Sequence, residues 1–379
     1  MADPRGQITS RWRDGALLLA VALGGALIVL AAALIGDRRS GDQFDLVRWE
    51  RETFAAKWLY HLGAPFRRDP HADDALARYF AAPVDSPDRR GLQKHVEASL
   101  DGRIDAALRA RGVLGALPLP GSVFPPVNVE LTQPPRVLVV SSRERIERIS
   151  TDLLRPELST TDAVEIERAE EAAHPDRSVL VVPSGGVAAY PAIVSSNETY
   201  ADTVATAAHE WTHHYLEFYP LGLHYFTSLE VVTINETVAD IVGAEIASDV
   251  LARWGDPTTP VAPPAAPSAR VDANAVLRDL RREVDALLAA GQIDDAEARM
   301  EAVRQELANR GYRIRRINHA YFAWYGTYAA RPDATDPLGA QLREIRERSG
   351  SLAAFLEVIR ATTSRADVVA ALDRLRARG

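Results

Sequence analysis

Apolar residues change their spacing along the chain, and the spacing predicts where helices give way to strands. Between residues 37 and 125 they recur near helical spacing, as at Phe54, Trp58 and Leu59, which predicts amphipathic helices. A proline-rich stretch at 117–135 ends this region. We therefore expect a helical region ahead of the middle of the chain.

Short runs of β-branched residues in the middle of the chain predict a small sheet. The runs at 136–141 and 178–182 each predict a strand, and 127–131 is a candidate for another. Residues 187–195 predict a further strand, which Pro191 confines to a sheet edge or a bulge because proline cannot donate a ladder hydrogen bond.

Helical periodicity predicts helices between these strands and after them. One helix is expected at 143–154. Another is expected from 202 to about 218, where Pro220 stops it, and a loop follows at 221–227. A long helix is then predicted at 229–254.

The last third of the chain begins with a Pro/Ala linker at 256–270, which is expected to be extended and exposed. Residues 271–290 and 294–310 predict two antiparallel helices joined at Gly291, and their charge-rich faces indicate a projecting hairpin. Further helices are expected from residue 314 onward. The whole pattern predicts an α+β fold that is mostly α-helical, with a small sheet and helical flanking regions.

The longest apolar run, at residues 15–36, contains no charged residue. As a helix it would rise about 33 Å, against a hydrocarbon core of about 30 Å. A cleaved signal peptide and a buried soluble helix are the alternatives. The length of the run and the lack of a small-residue cleavage site before Asp37 favour a single membrane span. Arginines flank both ends in nearly equal numbers, and we expect a short cytoplasmic tail with the bulk of the chain outside the cytoplasm.

These signals divide the chain into six segments. They are a short N-terminal tail (1–14), a transmembrane helix (15–36), a helical juxtamembrane region (37–125), a core (126–255), the linker (256–270) and a C-terminal helical region (271–379).

Charge and cysteine content restrict the chemistry. The net charge is −8 and no basic patch stands out, which argues against a nucleic-acid partner. The chain has no cysteine, so a metal site would have to use His, Asp or Glu ligands.

The clearest chemical signal is the sequence H-E-x-x-H, formed by His209, Glu210 and His213. On a helix, positions i and i+4 lie on one face about 6 Å apart, so both imidazoles can point at one cation. Glu210 is rotated by one position and can reach a water molecule on that cation. Zinc lowers the pKa of bound water to about 7, and a nearby carboxylate can take its proton.

A catalytic zinc usually needs a third protein ligand, and Glu236 on the next predicted helix is the candidate. Asp240 lies one turn further on the same face, where it can accept a hydrogen bond from a ligand histidine. Two alternatives remain open. The helix could carry surface His and Glu that bind nothing, or the metal site could be structural or degenerate.

Together, His209-Glu210-Trp211-Thr212-His213 and Asn235-Glu236-Thr237-Val238-Ala239-Asp240 resemble the gluzincin metallopeptidases, whose best-known members are thermolysin-like. The resemblance covers residues 178–247. It implies a zincin-type two-helix site with one Zn²⁺ held by His209, His213 and Glu236. It also implies that Glu210 is the general base, that Asp240 orients a ligand histidine, and that an edge strand near 187–195 holds the substrate backbone.

The family's downstream histidine or tyrosine, which stabilises the oxyanion, is not given by a motif in this chain. His319, Tyr321 and Tyr325 lie in a segment dense in polar aromatics and are the candidates. The alternative is that this segment is amphipathic core packing. His224 and Tyr225 in the inter-helix loop could line the cleft or serve only the loop.

We therefore expect a membrane-anchored zinc metallopeptidase that hydrolyses peptide bonds of a peptide or protein substrate. The alternative is a membrane-tethered helical interaction module, with the hairpin at 271–310 as its binding surface and a structural or degenerate metal site. An open coordination position on the metal would favour the enzyme.

Overall fold

The computed structural model describes residues 41–46, 48–49, 72–84, 86–115, 121–258, 272–332 and 334–378. The predicted transmembrane segment and the predicted linker beyond residue 258 lie outside these residues. Among the helices that the structure describes, none combines the length and the apolar character that a membrane crossing requires.

The described part of the chain is mostly helical with small sheets, as the sequence predicts. In chain order its elements are α1 (Ala72–Ala81), α2 (Pro87–Ala110), β1 (Val129–Thr132), β2 (Arg136–Ser142), β3 (Arg148–Leu154), α3 (Thr160–Ala173), β4 (Arg177–Pro183), β5 (Gly186–Val187), β6 (Ala192–Ser195), α4 (Tyr200–Leu216), α5 (Pro220–Leu223), α6 (Leu229–Trp254), α7 (Ala273–Ala289), α8 (Ile293–Asn309), α9 (His319–Tyr325), α10 (Leu338–Arg348), α11 (Leu352–Ile359) and α12 (Arg365–Arg376).

The strands form two three-stranded sheets, in the orders β3-β2-β4 and β1-β6-β5. In the first sheet, alternate residues of the central strand β2 face opposite sides. Val137 and Val139 enter a core shared with α7, α8 and α9, which we call the second core. Leu138 and Val140 enter a smaller core against α3. Burial on both faces explains why β2 reads as a continuous apolar run.

The predicted helix at 143–154 is wrong, because Arg148–Leu154 is the edge strand β3. The charged spacing of this segment fits a helix, but its backbone pairs antiparallel with β2 from Arg136↔Leu154 to Ser141↔Arg148. Interstrand hydrogen bonds to an already buried neighbour outweigh a weak local preference. The register shifts once, between Val140 and Ser141, so the ladder contains a bulge.

The predicted single strand at 187–195 is also wrong, since it divides into β5 and β6. Strand β6 is central and pairs parallel with β1 and antiparallel with β5. Strand β5 (Gly186–Val187) lies at one edge of this sheet, so Val187 is the part of the predicted strand that is at an edge. The residues between β5 and β6 include Pro191, which cannot donate to a ladder.

The first core is built around α4 and α6, which pack on α2, β6 and the C-terminal helices α10 to α12. Gly243 allows α4 and α6 to approach closely. A Cβ atom there would lie 2.6 Å from the carbonyl oxygen of Ala205 and 3.2 Å from the Cβ atom of His209. The crossing point of the two helices is therefore fixed next to His209, one of the candidate metal ligands.

The predicted hairpin is present as α7 and α8, with Gly291 at φ +74° in the turn. Its apolar side chains, including Leu280, Val284 and Val303, lie in the second core together with side chains of β2 and β4. The segment after the hairpin is tied to β4 by Asn318, whose Nδ2 atom donates to the carbonyl oxygen of Val179 at 3.0 Å. These contacts set the position of α9.

Candidate metal centre

Helix α4 carries three of the predicted site residues and is held at its N-terminus and along its back. Thr199 caps its N-terminus, where its side chain accepts a hydrogen bond from the backbone N–H of Asp202. Trp211 is buried on the face away from the site, and its indole N–H donates to the carbonyl oxygen of Pro125 at 2.8 Å. The helix is thus oriented so that His209 and His213 face α6.

His209, His213 and Glu236 converge as the sequence predicts. The two Nε2 atoms lie 3.0 Å apart. The Oε2 atom of Glu236 lies 3.4 Å from Nε2 of His209 and 3.6 Å from Nε2 of His213. We call these three residues the triad.

The donor set and spacing of the triad fit a zinc ion. Two imidazole nitrogens and one carboxylate oxygen are ordinary zinc ligands, and ligands about 2.0–2.2 Å from a tetrahedral ion lie about 3.3–3.6 Å from one another. The three observed separations are close to that range. Three protein ligands leave one position of a tetrahedron for water or substrate.

The outer nitrogens of both histidines have oxygen partners. Nδ1 of His209 lies 3.1 Å from a carboxylate oxygen of Asp240, the contact that the sequence predicts. Nδ1 of His213 lies 2.7 Å from the side-chain oxygen of Asn235. The Asn235 amide group in turn donates to the carbonyl oxygen of Leu221 at 3.4 Å, which turns its oxygen toward the histidine. Donation from Nδ1 to these oxygens leaves the Nε2 atom of each neutral imidazole free to direct its lone pair at an ion.

Asn235 is a site residue to which sequence reasoning assigned no role, although it is the first residue of the N-E-x-x-x-D pattern. It is buried at 1% exposure, and it lies one position before Glu236. Its place immediately before Glu236 was the signal that the sequence offered, and the structure adds that its amide is buried and needs a partner.

The charges of the triad favour ion binding. Burial alone would raise the pKa of Glu236, yet the imidazoles of His213 and His209 hold it well below its usual range. Burial would lower the pKa of His209, yet hydrogen bonds to Asp240 and Glu236 raise it well above the usual value. The carboxylates therefore favour a positive charge at the centre of the triad.

Glu210 is buried beside the triad and against strand β5. Burial raises the pKa of Glu210, in opposition to the lowering effect of His209 and His213. Its side chain occupies the space that a Cβ atom on Gly186 would need. That atom would lie 2.5 Å from Oε1 of Glu210 and 2.8 Å from the carbonyl oxygen of Ile193. Glycine at this position lets the carboxylate pack directly on the edge-strand backbone.

Two tyrosines complete the surroundings of the triad. The hydroxyl of Tyr225 donates to Oε1 of Glu236. The ring centroid of Tyr328 lies 6.4 Å from that of His209. Burial raises the pKa of Tyr328 well above its usual value, and the negative charge of Glu236 adds to this effect. Both hydroxyls therefore remain protonated near neutral pH and can donate hydrogen bonds.

The three predicted oxyanion candidates lie around the second core. His319 is fully buried, and its Nδ1 atom lies 3.9 Å from a carboxylate oxygen of Glu297. The rings of Tyr321 and Tyr325 contact each other with centroids 4.6 Å apart. The polar-aromatic segment does reach the triad, but through Tyr328, which lies beyond the end of α9.

The loop between α4 and α6 forms an apolar rim next to the triad. Phe226 is 88% exposed, and its ring centroid lies 5.0 Å from that of Tyr225. Leu223 at the end of α5 and Leu229 at the start of α6 are also exposed. No protein-family profile, curated protein or solved structure matches this chain.

Proposed function

We propose that this protein is a zinc-dependent metallopeptidase. The observation that carries the proposal is the triad. Its three inward donor atoms have zinc-like separations, both imidazoles are oriented by outer partners, and a buried carboxylate lies beside it. A site that only bridged two helices would not need the fourth group, Glu210.

Each residue has a role that follows from its position. His209, His213 and Glu236 would hold the ion, which supplies Lewis acidity and lowers the pKa of a water molecule when bound. Glu210 would take a proton from the attacking water and return it to the departing amine. Its raised pKa suits both steps, because a base that later acts as an acid works best near the ambient pH.

The tyrosines provide hydrogen-bond donors for the developing oxyanion. The triad needs such a donor because peptide hydrolysis builds negative charge on the carbonyl oxygen. We assign this role to Tyr328, since the hydroxyl of Tyr225 already donates to Glu236. The edge strand β5 borders Glu210, so its backbone is the place for an extended substrate to pair.

The proposal includes a membrane anchor at 15–36, which rests on the apolar sequence of that segment. The alternative, an interaction module that uses the hairpin, receives less support. The apolar side chains of α7 and α8 are packed in the second core, so they are not available to a partner. In a purely structural metal site, Glu210 would also have no role.

Replacement of Glu210 by Gln tests the proposal. The full-length chain, wild type and Glu210→Gln, would be loaded with zinc and incubated with a mixture of quenched fluorescent peptides. We expect hydrolysis by the wild type and a loss of at least about a hundredfold in the variant. Zinc content should be equal in the two proteins. Full activity of the variant, or no hydrolysis by a zinc-loaded wild type, would contradict the proposal.

A further inference from the structure

Arg148 is a partly buried arginine without a carboxylate partner, and it lies beside the candidate active site. Within the described residues, no Asp or Glu oxygen lies within 4.0 Å of its guanidinium, whereas Arg143 and Arg145 on the same connection are both paired. Among the described residues, the guanidinium instead lies near an aromatic ring. The Cζ atom of Arg148 lies 6.0 Å from the ring centroid of Trp324.

A β-bulge directs Arg148 to this place. In strand β3, Ser150 pairs with Val140 and Arg148 pairs with Ser141, so Ile149 is the extra residue. Regular alternation would place Arg148 on the same face as Ser150, which is the face toward α3. The bulge transfers it to the opposite face, which carries the second core and Trp324. Bulges beside active sites commonly re-aim a side chain in this way.

A continuous series of rings joins Arg148 to the triad. The ring centroids of Trp324 and Tyr328 are 6.0 Å apart, and those of Tyr328 and His209 are 6.4 Å apart. The guanidinium thus lies on the side of the triad where Tyr328 is found.

We propose that Arg148 binds a carboxylate of the peptide substrate. This inference rests on the proposed function and names the chemical class of its substrate. A guanidinium offers five N–H donors in a planar fork that matches a carboxylate. The contact with the ring of Trp324 restrains the guanidinium without consuming its donors, because a cation–π contact uses the face of the ring.

Two kinds of substrate supply such a carboxylate. One is the C-terminal carboxylate of a short peptide, which would make the enzyme an exopeptidase. The other is an Asp or Glu side chain a few positions from the scissile bond, which would make it an endopeptidase with acidic specificity. Both place one negative charge on the side of the triad where Tyr328 is found.

Matched peptides separate the two sources. The first pair is a blocked hexapeptide of Ala and Phe with either a C-terminal carboxylate or a C-terminal amide. The second pair is the amidated peptide with one Glu or one Gln. A charge-assisted pair with Arg is expected to raise kcat/KM by about tenfold to about a hundredfold for one of the two pairs. A higher kcat/KM for the carboxylate member of the first pair identifies the C-terminus as the source. A higher kcat/KM for the Glu member of the second pair identifies an acidic side chain.

Variants of Arg148 connect this selectivity to the guanidinium. Arg148→Gln should bring the carboxylate-to-amide ratio of kcat/KM close to one, and Arg148→Lys should restore part of it. Arg145→Gln is the matched control, since Arg145 is exposed and pairs with Glu147. A merely structural role of Arg148 would change all four rates together and leave the ratio unaltered.

Binding provides a second measurement that does not depend on turnover. The Glu210→Gln protein would be titrated calorimetrically with each peptide, with and without Arg148→Gln. Tighter binding of the carboxylate peptide that disappears with Arg148→Gln supports carboxylate binding by Arg148. If this is seen and no peptide is hydrolysed, only the proposed function fails. Equal binding of both members of each pair by the protein with Arg148 intact overturns the inference.

Discussion

Replacement of Gly243 by Ala should separate the two helices that build the triad. The new Cβ atom would lie 2.6 Å from the carbonyl oxygen of Ala205, 3.2 Å from Cβ of His209 and 3.3 Å from the backbone nitrogen of His209. All of these are backbone or near-backbone atoms, which no change of rotamer can move. Restoring ordinary contact requires a shift of about 1 Å between α4 and α6.

The size of the effect follows from two opposing terms. Alanine is preferred to glycine inside a helix by about 1 kcal/mol. Overpacking of a buried contact costs about 1–3 kcal/mol, and the rigidity of the neighbours here favours the upper part of that range. We expect a net decrease of about 1–2 kcal/mol in the free energy of unfolding of the metal-free protein.

Zinc affinity should fall as well. A shift of about 1 Å would move Glu236 from the 3.4 Å and 3.6 Å separations that suit a tetrahedral ion. The loss should be comparable to that from removing an outer partner of a ligand, about tenfold to a hundredfold. Urea unfolding and competition with a zinc chelator measure the two quantities.

Gly102→Ala is the matched control. Gly102 lies in α2, and a Cβ atom there would meet nothing within 4 Å. This variant should be more stable by about 0.5–1 kcal/mol and bind zinc normally. If Gly243→Ala unfolds like Gly102→Ala and retains wild-type zinc affinity, the close approach of α4 and α6 does not set the geometry of the triad.

Three further outcomes are expected. Gly186→Ala should displace the carboxylate of Glu210 and reduce peptide hydrolysis by at least about tenfold, while the zinc content measured by elemental analysis stays at the wild-type level. Asp240→Ala should weaken zinc binding by about tenfold to a hundredfold in a chelator competition, and an unchanged affinity would show that its contact with His209 does not matter. In the metal-free protein His209 and His213 have raised pKa values, so protons compete with zinc for them. Zinc affinity should therefore fall as the pH is lowered from about 8 to about 5, and calorimetry in two buffers should show proton release on binding; a flat profile would contradict this.

The sequence predicted the triad because its residues are set by helical geometry. His209 and His213 share a face through i, i+4 spacing, and Glu236 and Asp240 share a face of the next helix in the same way. The bounds of α6 also agree with the predicted 229–254, because Ser228 caps its start and Gly255 follows its end.

Features that depend on contacts distant in sequence could not be predicted. Strand β3 has a helix-like pattern of charges, and only pairing with β2 makes it a strand. Tyr328 reaches His209 because the segment before α9 is attached to β4, a contact that no local pattern encodes. Asn235 had the right position, but its role depends on which face of α4 it meets.

The most direct test of the three-ligand metal centre is the zinc content of the purified full-length chain, compared with that of His213→Ala and Glu236→Ala. His224→Ala is the control, because His224 lies on the exposed loop and its Nδ1 atom is 2.8 Å from the carbonyl oxygen of Pro220. We expect about one zinc per chain in the wild type and the control, and loss of zinc in both triad variants. Absence of zinc from the wild type, or zinc that is retained in Glu236→Ala, would contradict the three-ligand metal centre.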